Sequence, residues 1–331
     1  MRRTTRRAAW ALGGALAVGA VLAGLQPTGA GAGAATPALT DKFPAHYYAP
    51  YVDMTAWPTQ SLTGDSSAGG IKYYSLAFIT NDANIGTCVP AWGGVVPLSQ
   101  LSTYLPHLDS DIASVRKAGG DVAVSFGGSA GTELAQSCSS LSTLQAAYQS
   151  IIDHYHASHI DFDVEGAAVT DSASIDLRNK AIHALEAANP GLRVSYTLPV
   201  LPTGLVASGL ALLRDAIADG VNVNVVNIMT MDYGSSFSSD MGKDAIDAGN
   251  SLISQLHGLY PAKTAGQIRA MVGLTPMSGA NDVAGEDFTT ADAAEVEAYA
   301  KSKGIRELAL WSVNRDGPGF SYSKLFDPFT S

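Results

Sequence analysis

The stretch His159-Ile160-Asp161-Phe162-Asp163-Val164-Glu165-Gly166 decides how the rest of the chain is read. Alternate side chains of an extended strand share a face, so Asp161, Asp163 and Glu165 point one way while Phe162 and Val164 point the other. Such a strand needs an apolar layer on one side. On the other, three carboxylates inside a core are costly unless hydrogen-bonded, partly protonated or bound to a cation.

Outward from this strand, runs of strand length recur along the chain. They are expected at Tyr47–Thr55, Lys72–Thr80, Asp121–Gly128 and Ile160–Gly166, then at Arg193–Val200, Val223–Asp232, Ile268–Met277 and Glu307–Asn314. Segments of helical periodicity separate them, at Leu141–His156, Ser172–Ala188, Ala211–Ala218, Asp244–Leu259 and Ala291–Lys303. Asp171 or Ser172 is placed to cap one helix, which Asn189-Pro190-Gly191 stops. Eight strands alternating with helices predict an α/β fold of the (β/α)8 barrel type in a single domain over residues 36–331. The alternative is an open doubly wound sheet, but Asp53-Met54-Thr55 after the first strand is not a glycine-rich phosphate loop. The barrel turns the three acids inward, with Glu165 nearest the C-terminal mouth, and requires functional residues at the strands' C-terminal ends.

Residues two apart on a strand stand about 6.5 Å apart. At an effective dielectric near 20, two charges at that distance repel by about 2–3 kcal/mol, which raises at least one carboxyl pKa. A carboxyl group protonated near neutral pH can donate to the leaving oxygen of a glycosidic bond, and Glu165, with the longest reach, is the candidate acid. A second carboxylate nucleophile has to approach the sugar from the opposite side, and Asp163 shares the face of Glu165. The arrangement therefore favours a substrate that supplies its own nucleophile, a 2-acetamido oxygen, with Asp163 orienting the acetamido N–H. A divalent metal on the acids and a purely structural network are the alternatives; no histidine or further acid cluster supports the metal.

The N-terminus carries Arg2, Arg3, Arg6 and Arg7, then an apolar run from Ala8 to Leu25, then small residues with A-x-A sites at Ala30-Gly31-Ala32 and Ala32-Gly33-Ala34. This is the order of an export signal over residues 1–35, with cleavage expected near residues 32–35 and a secreted product; a retained anchor is the alternative. Arg6-Arg7 fits a twin-arginine route only loosely. Without those four arginines the formal net charge falls from −10 to −14. So acidic a chain with no basic stripe repels phosphate backbones and is not expected to bind nucleic acid, nor a membrane once the leader is gone. The chain is expected to act as a monomer. Cys88 and Cys138, in predicted loops, are read as a disulfide in an oxidising compartment, with two unpaired thiols as the alternative. Neither has metal-ligand spacing. Of the tryptophans beyond the leader, Trp57 and Trp92 follow the first two strands and Trp311 sits near the end of the eighth. Stacking on sugar rings and loop packing are both open for the first two, whereas Trp311 must point into mouth or core.

With these residues in view, the chain resembles family 18 of the glycoside hydrolases, the chitinase family. Asp161, Asp163 and Glu165 match the last three acids of the family's D-x-x-D-x-D-x-E, and Ser125-Phe126-Gly127-Gly128 matches its S-x-G-G. Met229-Thr230-Met231-Asp232 is similar to its M-x-Y-D, and Trp311 to the strand-eight tryptophan that floors the reactive sugar site. The M-T-M-D-Y run resembles a bacterial and archaeal subgroup. The resemblance implies retaining, substrate-assisted hydrolysis of β-1,4-linked N-acetylglucosamine polymers, with no cofactor. Catalysis falls to Glu165, Asp163 and Asp161. The substrate contacts are Trp311, Asp232 and Met229, with Gly127 and Gly128 letting the backbone approach the sugar. Phe78 at the end of strand two is a further candidate, for the acetamido pocket, with ordinary core packing as the alternative.

Two departures stand out. Ser158 replaces the first signature acid, and Met231 replaces the tyrosine that hydrogen-bonds the acetamido carbonyl; Tyr233 and Tyr196 are the nearby candidates to substitute. Asn281 and Asp282 after the seventh strand are further candidates for sugar hydroxyls, and His159 reads as a packing histidine. A non-catalytic sugar-binding barrel and an endo-β-N-acetylglucosaminidase acting on N-glycans are the competing functions. In a barrel the loops after strands two and three are neighbours, which places Cys88 and Cys138 together at the cleft rim.

Overall fold

Eight parallel strands follow one another around the sheet: β1 (Tyr47–Tyr48, resumed at Tyr51–Asp53), β2 (Tyr73–Asn81), β3 (Asp121–Gly127), β4 (His159–Asp163), β5 (Arg193–Pro199), β6 (Val225–Met229), β7 (Val272–Thr275) and β8 (Glu307–Leu308). This computed structural model describes residues 39–237 and 240–331. The expected export leader and its cleavage site lie outside the described residues. β1 closes the ring. Its first half pairs with β8 (Tyr47 opposite Glu307) and its second with β2 (Tyr51 opposite Ser75). The break falls at Pro50, which has no N–H to give. The N–H groups of Ala49 and Tyr51 still donate to Leu308 and Leu310 across β8. The result is a (β/α)8 barrel.

Helices wrap the outside: α1 (Leu62–Gly69), α2 (Leu108–Lys117), α3 (Leu141–Tyr155), α4 (Ser172–Ala188), α5 (Ala207–Ala218), α6 (Met241–Leu259), α7 (Thr290–Lys303) and α8 (Ser321–Phe326). The Asp171 side chain caps α4, accepting from the N–H groups of Ala173 and Ser174. Helix α1, sequence LTGDSSAG, has almost no apolar periodicity and is held by tertiary packing and a Ser61 cap. Three predicted strands ran too long. Ile268 lies in a helical turn, Ala265–Arg269, ahead of β7; Val313 and Asn314 begin a short helix; and Glu165 lies two residues past the end of β4. Strand and helix ends are set by where ladder partners stop, which composition does not record.

The alternation read from β4 holds. Phe162 lies outside the wall, stacked on Phe126 with ring centroids 5.4 Å apart and buried under α3 by Tyr148. The inward side is layered. Phe43 plugs the bottom, its ring about 5 Å from those of Tyr47, Tyr73 and His159. Buried in that plug, His159 is pushed down to about 3 and is neutral, a packing residue whose Nε2 meets Ser195 Oγ at 3.1 Å. Above it lies a polar layer around Asp161, and above that the open mouth. Cys88 and Cys138 are joined as a disulfide across the loops after β2 and β3, their Cα atoms 4.6 Å apart. Among the described residues no helix is long and apolar enough to cross a membrane.

Candidate active site

Asp161 forms the floor of the site. Four hydroxyl groups converge on it: Ser195 and Thr197 from β5 donate to Oδ1 at 2.6 and 2.9 Å, and Ser125 from β3 and Tyr51 from β1 donate to Oδ2 at 2.6 and 3.0 Å. Burial pushes the Asp161 carboxyl up, and these hydrogen bonds oppose the rise without cancelling it. A carboxylate fully surrounded by donors is the acid of this strand best suited to stay ionised.

Asp163, one pleat higher, has the opposite surroundings. It is buried, and its Oδ1 has no hydrogen-bond partner. Burial pushes its carboxyl well above the usual range, and the charges of Glu165, Asp161 and Glu133 push the same way. Glu165, half-buried at the mouth, is also raised, first by burial and then by Asp232 and Glu133. Asp163 and Glu165 are therefore two interacting carboxyl groups, both raised, above a floor acid whose own rise four hydroxyl donors oppose.

The pair opens into a pocket of about 440 Å³ at the C-terminal ends of the strands. Its aromatic side is Trp311 stacked on Phe78, ring centroids 5.4 Å apart and 18° between planes, with Tyr51 against both rings. Its other side carries Met229, Met231 and Asp232, with Asp282 from the loop after β7. Asp232 sits at φ 51° and accepts from the Val283 N–H at 2.9 Å, which fixes its carboxylate at the rim. No lysine or arginine lines this pocket.

Several expected site residues lie elsewhere. Asp161 does not line the pocket; it bonds to Tyr51, which does. Tyr196 faces outward between inward-facing Ser195 and Thr197, and its hydroxyl donates to Asn179 of α4 at 2.6 Å. Tyr233 is buried beside Phe237, away from the pocket. Neither tyrosine takes the place left by Met231. Gly127 (φ 104°) and Gly128 (φ 87°) do not line the pocket either; Ser129 does. A Cβ at Gly127 would fall 2.1 Å from the Asp163 carbonyl oxygen, and one at Gly128 2.6 Å from the Phe78 ring. Their lack of side chains seats β4 and Phe78 rather than a sugar. Trp92 is buried, its indole N–H donating to Tyr155 Oη at 2.9 Å, so it packs a loop; Trp57 is 89% exposed.

Sequence reading missed Tyr51, which both lines the pocket and supports Asp161, and the hydroxyl ring of Ser125, Ser195 and Thr197. The signal was available: Ser195 and Thr197 are two apart on a strand, in phase with each other and out of phase with apolar neighbours.

Over 87% of its length the chain superposes on 95% of the catalytic domain of a hyperthermophilic chitinase from Pyrococcus furiosus, with TM-score 0.77 and 32% identity. The chain belongs to family 18 of the glycoside hydrolases. This family 18 chain is also 37% identical over 319 residues, 87% of its own length, to a probable bifunctional chitinase/lysozyme of Escherichia coli (strain K12). It is 38% identical over 289 residues, 83% of its length, to endochitinase 11 of Metarhizium anisopliae. It spans only 35% and 53% of the length of those two relatives. A family 18 chitinase from Chromobacterium violaceum, 18% identical with TM-score 0.62 and coverage of 87% and 84% of the two chains, shares the fold. No family model matches the chain.

Proposed function

We propose that this chain hydrolyses β-1,4-linked N-acetylglucosamine polymers, chitin and its oligomers, with retention at the anomeric carbon. The observation that carries the reading is the proton-holding Asp163–Glu165 pair above a four-fold hydrogen-bonded Asp161, facing an aromatic wall. Glu165, at the mouth, gives its proton to the glycosidic oxygen as the bond to C1 breaks. The acetamido carbonyl oxygen of the same sugar closes on C1 while Asp163 accepts a hydrogen bond from the acetamido N–H. Water then adds to C1, losing a proton to Glu165, and opens the ring that the acetamido group had formed. Trp311 and Phe78 provide the apolar surface on which the sugar face rests. Two relatives named as chitinases, and the P. furiosus enzyme, agree with this reading.

Export, with cleavage of the leader near residues 32–35, is part of the same proposal. The basic start and apolar run support it, as does the Cys88–Cys138 disulfide, since such bonds persist in oxidising compartments.

The deciding experiment incubates purified protein with N-acetylglucosamine hexamer and, separately, with an N-glycosylated protein. Shorter oligomers that retain the β configuration support the proposal. Release of glycans without hexamer cleavage would replace it with the N-glycan reading. Glu165→Gln should lose roughly 10²–10⁴-fold in kcat, the usual share of a general acid, while still binding the hexamer. Normal turnover by that variant removes Glu165 from the chemistry.

A further inference from the structure

Beside the end of β4, outside the pocket, lies a buried ion pair that the reaction above does not use. Glu133, just before the short helix Leu134–Ser137 in the loop after β3, meets Arg178 of α4. Arg178 Nε donates to Glu133 Oε2 at 3.1 Å, and Nη2 donates to the same oxygen. Among the described residues Arg178 is the only buried lysine or arginine. Burying such a pair seldom stabilises a fold relative to apolar residues of similar volume, so stability alone does not account for it.

Its orientation is informative. Arg178 engages only Oε2. The other carboxylate oxygen, Oε1, is buried with no hydrogen-bond partner. It lies against Gly127: a Cβ built on that glycine would be 3.4 Å from Oε1 and 2.1 Å from the Asp163 carbonyl oxygen. The same glycine residue thus touches the unpaired carboxylate oxygen and the backbone of Asp163. Oε1 thus lies toward the backbone at the end of β4, while Arg178 holds Oε2. In keeping with this, Glu133 adds to the charges that raise Asp163 and Glu165, whereas Arg178 is not among the groups acting on either.

We propose that Glu133 and Arg178 are positioning residues for the acid, a buried pair whose negative end backs Asp163 and Glu165 and keeps their shared proton in place. This rests on the reading of Glu165 as the acid. The charged neighbours are accounted for: Glu165 feels Asp232 in the loop after β6 and Glu133, Asp163 feels Glu165, Asp161 and Glu133, and Glu133 feels Arg178 of α4 and Asp171, the cap of that helix. Tyr148 of α3 faces Arg178. Burial raises the Glu133 carboxyl, and the Arg178 guanidinium opposes that rise and so favours its ionised form. Removing that negative charge makes the pair easier to ionise, so the acid loses its proton at lower pH.

The test is the pH profile of kcat/KM for N-acetylglucosamine hexamer, with melting temperature measured alongside. Glu133→Gln keeps size and acceptor and should move the alkaline limb down by about half to one pH unit, a roughly three- to tenfold loss on that limb. KM at the acidic optimum should not change. The double variant Glu133→Gln, Arg178→Gln removes the cation that the first leaves unpaired and should show the same displacement. An unmoved limb in both, or failure of both to fold, overturns the proposal in favour of a structural brace. Glu165→Gln, run in parallel, separates the two readings. If it is inactive while the limb stays put, only this inference falls; if it is active, the assignment of the acid falls first.

Discussion

Tyr51 Oη donates to Asp161 Oδ2 at 3.0 Å, a bond between residues 110 apart that ties β1 to β4 across the barrel floor. The same hydroxyl contacts Thr197 Oγ1 at 2.8 Å and lies 3.3 Å from Asn227 Nδ2. The floor of the site is thus one network drawn from several staves. Its hydroxyls oppose the burial that raises Asp161, and the charge of Asp161 adds to what raises Asp163.

Tyr51→Phe removes one of four donors and leaves the ring in place. Hydrogen bonds to charged groups contribute about 1.5–3 kcal/mol, so kcat should fall roughly tenfold or more. The loss should be in kcat with KM little changed, as steady-state kinetics on soluble oligomers will show.

Trp311→Ala removes the aromatic wall and unstacks Phe78. The stacked pair contributes about 0.5–1.5 kcal/mol beyond its buried area, so KM should rise at least several-fold. Trp311→Phe should recover part of the affinity. Equal KM in all three proteins would show that the wall does not carry the sugar.

Glu307, at the barrel bottom with Tyr47 Oη donating to it at 3.1 Å, is pushed up to about 8 by burial and by Asp161. The folded state therefore binds a proton there that the unfolded chain releases above its ordinary value near 4.5. Stability from this group is full below that value and is lost as pH rises toward 8. Glu307→Gln should flatten the fall. Tm at pH 8 should rise by about 2–4 °C, the size of a 1 kcal/mol gain in a domain this large, with no difference at pH 4.

The Cys88–Cys138 bond closes a loop across a separation of 50 residues. Cys138→Ser, paired with Cys88→Ser to leave no free thiol, should cost about 3–4 kcal/mol by loss of the constraint on the unfolded chain. Denaturant titration measures it: the midpoint should fall and the slope should rise, because the unfolded chain freed of the bond exposes more surface.

Much of the fold was legible because a barrel stave repeats a simple pattern. The run from His159 to Glu165 alternated correctly, and Asp163, Glu165, Trp311, Asp232, Met229, Met231 and Phe78 do meet at one pocket. The errors have physical causes. Chemistry and nearness in sequence point to Tyr196 and Tyr233, yet strand phase turns the first toward α4 and packing takes the second into the core. Gly127 and Gly128 matched a motif, but what they admit is β4 and Phe78, a contact between chain segments that no local pattern states.

The order of apolar and acidic residues along β4 by itself determined which side chains face inward, since backbone pleating needs no partner to impose it. It also determined the class of architecture, through the repeat of strand and helix. Which acid keeps its charge was decided only in three dimensions. Asp161 and Asp163 are the same residue type two positions apart, and what separates them is the set of hydroxyls that β1, β3 and β5 bring to one and not to the other. Ionisation depends on solvation and on nearby dipoles and charges, and most of those are supplied by residues distant in the chain.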